Sequence, residues 1–263
     1  MKIVSLNAFE SPLSRTNKIR LKKLTEELLR LKPDIICLQE IIKAKTARRI
    51  QKLLQPYGYR TFIQPKRIFN HGGLVCAVKL PVIKHEFTPF KNQGVHVSLQ
   101  LAERIIKKGY QCVKLQTDTF PVTVFNTHVA SIFRKKSKKQ LQTRFVHVRQ
   151  LLDAIVKTKG NIISTGDYNF TPHDQEHRFM EKAGGLTDPL EITYFPTVSP
   201  KNTNRKKSFI WPKYSVRHDY TWLSKSLLKK LHKQKIIFDT PYKIKRRFIH
   251  LSDHYGILTE LKV

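Results

Sequence analysis

Polar residues of the kinds that bind metals and activate water follow apolar runs at two places in this chain. Ser252-Asp253-His254 stands near the C-terminal end, and Gly166-Asp167-Tyr168-Asn169 stands well before it. Carboxylate, amide and imidazole groups can hold a divalent cation and a water molecule against a phosphate. The two blocks therefore predict a phosphoester hydrolase.

Taken alone, each such residue has an ordinary explanation. Asn7 suits a turn, Glu40 a surface charge and His128 a core histidine, while residues 166–169 are good turn formers. Polar residues at the ends of different strands can nevertheless converge on one rim of a scaffold. The prediction of a site depends on their joint occurrence in six segments, which contain Asn7, Glu40, His128, Asp167 with Asn169, Asp219, and Asp253 with His254.

Hydrophobic periodicity predicts the elements that position these residues. A period near 3.6 residues predicts helices, and short apolar or alternating runs between Pro, Gly and Asn clusters predict strands. The predicted helices are 18–31, 44–54 and 142–156. The predicted strands are 3–6, 35–39, 59–63, 73–79, 96–101, 111–116, 122–127, 161–165, 220–223, 236–238 and 255–261.

This order of elements predicts an α/β (α+β) fold. Helices flank two halves of the chain, and runs of apparently antiparallel strands lie between them, so we expect a four-layer αββα sandwich of two mixed sheets packed face to face. A length of 263 residues with 40% hydrophobic content suits a single domain spanning 1–263. Three cysteines in strand-like runs suit buried, reduced thiols, and neither a membrane span nor a signal peptide is evident, so a cytoplasmic location is expected.

Charge is the strongest compositional signal. The chain has 50 Lys plus Arg against 19 Asp plus Glu, a formal net charge of +31. Such an excess concentrates polyanions near the protein, whether nucleic acid, an anionic membrane surface or phosphorylated small molecules. A generally lysine-rich proteome would give the same composition, and no stable protein partner is inferred.

Six blocks in order resemble the endonuclease/exonuclease/phosphatase superfamily of metal-dependent phosphoesterases. The resemblance runs from residue 3 to residue 261 and consists of Asn7, Leu38-Gln39-Glu40, Asn126-Thr127-His128, Gly166-Asp167-Tyr168-Asn169-Phe170, Arg217-His218-Asp219-Tyr220 and Ser252-Asp253-His254. His218 departs from the apolar residue usual between Arg217 and Asp219. It is interpreted either as an innocent substitution facing solvent or as a substrate contact.

The resemblance implies a metal site. Glu40 would be the principal Mg²⁺ ligand, with Asn7 beside it and Asp253 binding or supporting metal from the other side. Hard oxygen donors suit Mg²⁺, or Mn²⁺ in its place, better than a soft metal.

The resemblance also implies roles in catalysis. Asp167 would orient or deprotonate the attacking water, and Asn169 would hydrogen-bond the phosphate and the water. His254 would sit against the scissile phosphate, held in the correct tautomer by Asp219. His128 would add a second donor to the developing charge. Whether Asp167 or His254 is the base stays open.

Arg217, with Asn169 and His128, is expected to contact substrate, but the identity of that substrate is less constrained. Glu40-Ile41-Ile42 departs from the Glu-Thr-Lys of apurinic-site DNA repair enzymes, whereas residues 73–82 and 108–115 look closer to neutral sphingomyelinases. A phospholipid head group or a small diester is therefore the leading hypothesis for the substrate. A nonspecific nuclease is the alternative, and a catalytically silent module that binds nucleic acid or membrane is the third hypothesis.

Two stretches mix aromatic and basic residues, 132–136 and 205–214. Exposed aromatics beside cations can enter a membrane interface, or they can stack on bases while the cations follow phosphates. The same aromatics could equally cap the core. These stretches therefore leave the lipid and the nucleic-acid hypotheses both open.

Overall fold

Two six-stranded sheets form the centre of the protein in the computed structural model, which describes residues 1–11, 14, 16–94, 104–132, 137–190, 195–205 and 214–263. The strands are β1 Lys2–Asn7, β2 Ile35–Gln39, β3 Arg60–Phe62, β4 Pro65–Lys66, β5 Phe69–Asn70, β6 Val75–Val78, β7 Val82–Pro89, β8 Gly109–Gln116, β9 Pro121–His128, β10 Asn161–Asp167, β11 Leu186–Thr187, β12 Asp219–Ser224, β13 Leu231–Ile237, β14 Tyr242–Ile244, β15 Arg247–Ile249 and β16 Gly256–Leu261. The helices are α1 Asn17–Leu31, α2 Ala44–Leu54, α3 Lys138–Lys157, α4 Gln175–Gly184 and α5 Lys225–Leu228.

Both large sheets are mixed. The first has the order β13-β16-β1-β2-β6-β3, and the second β11-β12-β10-β9-β8-β7. In each sheet one central pair is parallel, β1 with β2 and β10 with β9, while the other pairs are antiparallel. Because the two parallel pairs occupy corresponding positions, their carboxyl ends can present polar residues at one edge. The predicted mixed sheets are confirmed.

Strand periodicity explains why the sheets stack. Along β2, Ile35 and Cys37 face the other sheet, whereas Ile36 and Leu38 join the cluster that packs under α1 and α2. Successive strand residues point to opposite faces, so an uninterrupted apolar run can serve two buried faces at once. A third cluster packs α3 and α4 on the outer face of the second sheet. The predicted αββα layering is therefore confirmed.

Polar side chains join the two sheets beneath their common edge. Gln39 Nε2 on β2 donates to Asn126 Oδ1 on β9 at 2.8 Å, and Asn126 Nδ2 donates to Gln111 Oε1 at 3.1 Å and to Val75 O at 3.2 Å. Buried amides need such partners, and a satisfied network fixes one relative placement of the elements it links. The network therefore holds the two sheets in register where their ends meet.

Most predicted elements match, and the omissions have physical causes. The sequence analysis missed β7, an edge strand whose residues alternate only partly into the core, and α4, which lies between turn-like segments. Phe238 was predicted to end a strand but lies after β13 with φ +61°. The predicted strand 96–101 lies outside the described residues. Helix α2 has the predicted bounds.

The cysteines follow the prediction only in part. Cys37 and Cys76 are buried opposite each other on β2 and β6, and a hydrogen bond between their thiols raises the pKa of Cys37, with burial adding to the effect. Cys112 is only partly buried and lies on β8, the strand next to the edge strand β7. All three are free thiols. Within the described part of the chain, no helix is long and apolar enough to cross a membrane.

Candidate functional site

Six of the predicted residues converge where the two sheets end together. Asn7 closes β1 and Glu40 follows β2, while His128 closes β9 and Asp167 closes β10. Asp219 begins the antiparallel β12 beside Asp167, and His254 lies two residues before the start of β16. The mixed topology thus brings both parallel strand ends and two antiparallel strand starts to one rim.

Backbone conformation at the rim re-aims these side chains. Glu40 has φ +54° and Asn169 has φ +53°, both in the left-handed region that non-glycine residues seldom adopt. Gly166 has φ +141°, and a Cβ there would lie 2.0 Å from the carbonyl oxygen of Thr127. Only glycine lets β10 approach β9 this closely, so Gly166 sets the position of Asp167.

Asn7 links the two carboxylates of the rim. Its Nδ2 donates to Glu40 Oε1 at 3.0 Å and to Asp167 Oδ2 at 2.8 Å, while its Oδ1 accepts from the backbone N–H of Phe9 at 3.0 Å. Asn7 therefore faces the carboxylates with its amide nitrogen. Its role as an oxygen ligand stays a prediction that requires Oδ1 to turn toward Glu40.

His254 and Asp219 form a dyad across the two sheets. His254 Nδ1 lies 2.8 Å from Asp219 Oδ2, and His254 Nε2 points toward Asp167 Oδ2 at 3.9 Å. Burial lowers the pKa of His254, but the charges of Asp219, Asp167 and Asp253 outweigh it and raise that pKa to about 10. An imidazolium whose Nε2 faces the centre of the site can donate to an anion there.

His128 lies on the opposite wall beside a lysine that the predicted site did not include. His128 Nε2 is 3.5 Å from Asp167 Oδ2 and 3.9 Å from Glu40 Oε1. Lys108, only 3% exposed, places Nζ 2.9 Å from the same Nε2 and donates to Val129 O at 2.8 Å. Burial, followed by Lys108, His254 and His147, holds the pKa of His128 well below its usual value.

A neutral His128 that accepts at Nε2 from Lys108 differs from the donor expected at this position. The ammonium of Lys108 is then the nearest fixed positive charge on this wall. The sequence does carry a signal for it: Lys108 immediately precedes a glycine and a strand, and a lysine there is easily mistaken for one more surface cation in so basic a chain.

Asn169 and Asp253 lie at the margin. Asn169 Nδ2 donates to Val129 O at 3.0 Å, and its N–H donates to Asp167 Oδ1 at 3.0 Å, which ties it to the end of β10. Asp253 is paired through Oδ2 with Arg205 Nη2 at 3.0 Å. Its Oδ1 is buried and has no hydrogen-bond partner among the described residues.

Arg217 turns away from the cluster. Its two terminal nitrogens donate to the carboxylate of Asp188 and to Leu190 O, and its guanidinium lies over the ring of Tyr220 at 4.9 Å. The contacts of Arg217 are therefore structural, and its substrate role stays a prediction. His218, expected to face solvent, is partly buried, and this burial together with His254 and Arg205 lowers its pKa to about 3.

The electrostatics of the carboxylates fit a divalent cation. Burial and the charge of Asp253 raise the pKa of Glu40, and burial is also the largest cause that raises the pKa of Asp167 to about 7. Glu40, His128 and Asp167 each offer a ligand atom within 4.8 Å of the others. Buried carboxylates that lack sufficient countercharge, together with the unpartnered Oδ1 of Asp253, suit a hard metal ion.

Comparison with known proteins agrees with this geometry. The model of the Endonuclease/Exonuclease/phosphatase family matches residues 4–254. A search of curated proteins finds no match. The family predicted from the sequence is confirmed.

Solved structures share the fold over the whole chain. SmcL has a TM-score of 0.79 at 19% identity, covering 100% of this chain and 99% of its own. TDP2 from D. rerio, complexed with single strand DNA product, has a TM-score of 0.73 at 17% identity, covering 98% of this chain and 97% of its own. Sphingomyelinase C from Streptomyces griseocarneus has a TM-score of 0.72 at 16% identity, covering 98% of both chains. At these identities the likeness shows the fold alone.

Proposed function

Because the chain belongs to the Endonuclease/Exonuclease/phosphatase family, whose members are generally phosphoesterases, we propose that it is a metal-dependent phosphodiesterase. The reaction is the hydrolysis of a phosphodiester by in-line attack of water. The observation that supports it best is the position of Asp167, which lies between the Asn7–Glu40 pair and the imidazole of His254.

Glu40 would hold Mg²⁺ or Mn²⁺ together with Asp253 Oδ1, and with Asn7 once its carbonyl oxygen turns inward. Bound there, the cation supplies Lewis-acid stabilisation of charge on a phosphate oxygen. The charge of Asp253 raises the pKa of Glu40, so a cation beside Glu40 would stabilise its ionised form. Cysteine thiolates, which would favour a soft metal, are not among these ligands, because the three free cysteines lie within the sheets.

Asp167 and His254 divide the proton chemistry. Asp167, with a pKa raised to about 7, is poised to accept a proton from water near neutral pH and to orient that water. His254, kept charged by Asp219, donates from Nε2 to the phosphate. Since charge develops on phosphate oxygens in the transition state, preorganised donors of this kind stabilise it. This division favours Asp167 as the base, a choice the sequence left open.

Two further groups complete the phosphate pocket. The backbone N–H of Asn169 ties this residue to Asp167, and its side-chain amide, which donates to Val129 O, would hydrogen-bond phosphate and water. Lys108 keeps a positive charge on the opposite wall and fixes the tautomer of His128, because Nε2 accepts from the ammonium. His128 thereby contributes an oriented neutral ring to the pocket.

The substrate class is tested directly. The sequence blocks at 73–82 and 108–115 favour a phospholipid head group as the substrate, whereas the excess of basic residues favours nucleic acid. Mg²⁺-dependent release of phosphocholine from sphingomyelin vesicles is measured beside cleavage of labelled single- and double-stranded DNA. His254→Ala is the inactive variant, and His232→Ala, an exposed histidine on β13, is the matched control.

Release of phosphocholine that is lost in His254→Ala but kept in His232→Ala would establish the lipid reaction. DNA cleavage with the same pattern would make the protein a nuclease. Inactivity of the unmodified protein on these substrates and on a small aryl phosphodiester would refute the proposed hydrolase and favour a silent binding module.

A further inference from the structure

A groove of about 420 Å³ runs between α1 and α2. Its floor includes Leu21 and Ile50, which are buried in the cluster under the first sheet. Cations line both walls: Lys18 and Lys22 on the α1 side, and Lys43, Lys45 and Arg49 on the α2 side. All five are exposed.

In the described part of the chain, Lys22 is the groove cation with an acidic partner, Glu26 at 3.9 Å, and both side chains are exposed. Further along α1, Lys23 pairs with Glu27 at 2.7 Å. Among the described residues that line the groove, the only acid is Glu10, and its two oxygens already accept from the Lys43 N–H at 2.8 Å and from Thr46 Oγ1 at 2.5 Å. Among the described residues, Lys18, Lys45 and Arg49 make no ion pair. These charges are therefore available to an anionic ligand.

The groove begins beside the candidate metal site. The N–H of Glu10, which lines the groove, donates to Glu40 O at 3.0 Å. Arg20 on α1 donates to Ala8 O at 2.7 Å, next to Asn7, which fixes the loop between the groove and the rim. A ligand lying along the groove therefore passes directly to the rim that holds Glu40.

The spacing of the cations selects an extended polyanion. From Lys43 to Arg49 the chain rises about 9 Å at about 1.5 Å per residue. Phosphates of one strand are about 3.4 Å apart along the axis of a duplex and farther apart in an extended single strand, so the α2 wall alone can meet about two phosphates. Walls that face each other enclose a strand, whereas a planar membrane surface would touch only the ridges.

We propose that the α1–α2 groove binds a single strand of nucleic acid and leads its backbone to the Glu40 rim. This inference rests on the proposed function, because it takes nucleic acid to be the phosphodiester that the site hydrolyses. Binding itself requires no hydrolysis, so it is measurable in EDTA.

The test compares two variants with the same loss of charge. In the groove variant, Lys18, Lys43, Lys45 and Arg49 are all changed to Gln. In the control variant, Lys225, Lys229, Lys233 and Lys235, which are exposed on or near α5 and β13, are changed to Gln. Affinity for a labelled oligothymidine is measured by fluorescence anisotropy across a salt series, with thermal melting to confirm folding.

The affinity of the groove variant for oligothymidine is expected to depend less on salt concentration than that of the unmodified protein. Each phosphate neutralised on a single strand contributes about 0.7 to the slope of log affinity against log salt, so four lost contacts lower that slope by about 2.8. The control variant is expected to lose much less. Equal losses of affinity for oligothymidine in the two variants would overturn the proposal that the groove binds the strand. If the fourfold variant does not fold, Lys45→Glu against Lys233→Glu makes the same comparison.

Binding of anionic phosphatidylserine vesicles is measured in parallel. Vesicle binding that depends on the groove while oligothymidine binding does not would overturn the inference and assign the surface to a membrane. Hydrolysis of a small aryl phosphodiester by the unmodified protein tests the proposed function separately. Its absence would refute catalysis and leave the result for the groove standing.

Discussion

The two sides of the site differ in how their charges are balanced. On the His254 side, Asp219 Oδ2 lies 2.8 Å from the imidazole, and the acids around it keep that ring charged. On the Glu40 side, the carboxylate has an amide from Asn7, and burial and Asp253 still raise its pKa. One side is a pair of oppositely charged protein groups, whereas the other has the carboxylates that would suit a cation from solution.

This difference separates two tasks that phosphodiester hydrolysis requires. A metal lowers the energy of charge on oxygen without supplying or accepting protons, whereas a carboxylate and an imidazole can move protons. Asp167 lies between them, hydrogen-bonded to Asn7 on one side and 3.9 Å from His254 on the other. Burial raises the pKa of Asp167 to about 7, although the charge of His254 and the hydrogen bond from Asn7 both lower it.

The largest effects should come from removing the key group of each side. We expect Glu40→Gln and His254→Ala each to lower hydrolysis by about 10²–10⁴-fold, the range typical of a lost acid–base or equivalent group. Only Glu40→Gln should also weaken Mn²⁺ binding, measured by titration calorimetry. Equal loss of Mn²⁺ affinity in His254→Ala would show that the two sides do not divide the tasks.

Asp167, which lies between the two sides, should make the free energy of unfolding depend on pH. Its pKa is raised from 3.8 to about 7, so the stability contributed by its protonated form is present below pH 3.8 and is lost as the pH rises through about 7. About three pH units at about 1.4 kcal/mol each give on the order of 4 kcal/mol.

Asp167→Asn cannot ionise, so its melting temperature in EDTA should rise relative to the unmodified protein between about pH 4 and pH 7 and then level off. Added Mg²⁺ should shrink the difference, because a nearby cation stabilises the ionised carboxylate. A melting-temperature difference that is constant across this range would mean that Asp167 titrates normally.

The same contrast explains what could be predicted from the sequence. Glu40 stands out because it follows a run too apolar for a surface segment, and Asp167 stands out because it follows a predicted strand within a block of several polar residues. The helices and central strands follow from periodicity, since their apolar residues serve faces that are buried. Family resemblance supplied the roles, and the structure brings six of the residues to one rim.

What the sequence could not give depends on side-chain direction. Arg217 stands two residues from Asp219 but turns toward Asp188, and Lys108 is one cation among 50 until its burial is known. Strand β7 was missed because it is an edge strand, and a partly exposed edge strand is hard to distinguish from a loop by its hydrophobic pattern. Cys112, on the neighbouring β8, is partly exposed although its sequence segment resembles a buried strand.

Lys108→Met should have an intermediate effect, exerted from the His128 wall opposite His254. Lys108 acts through His128, so the loss of kcat should fall below the roughly 10²–10³-fold cost of removing a donor aimed at the reacting oxygen. Lys108→Arg should restore part of it, because a guanidinium keeps the charge. The neighbouring, exposed Lys107→Met is the control. If Lys108→Met changes only the melting temperature, the lysine merely supports the fold.

The smallest effect on catalysis should come from substitution of Arg217, whose side chain contacts Asp188 and Leu190 instead of the rim. Arg217→Met removes the partner of Asp188, a carboxylate that is 2% exposed and also lies 3.3 Å from His177 Nε2. Breaking a buried ion pair costs about 3–5 kcal/mol, so the free energy of unfolding should fall strongly, as measured by urea denaturation. Below the melting temperature KM and kcat should stay close to those of the unmodified protein, since the guanidinium points away from the rim. A raised KM in folded Arg217→Met would instead establish the substrate contact expected from the sequence, and it would extend the site from the Asp219 strand toward α4.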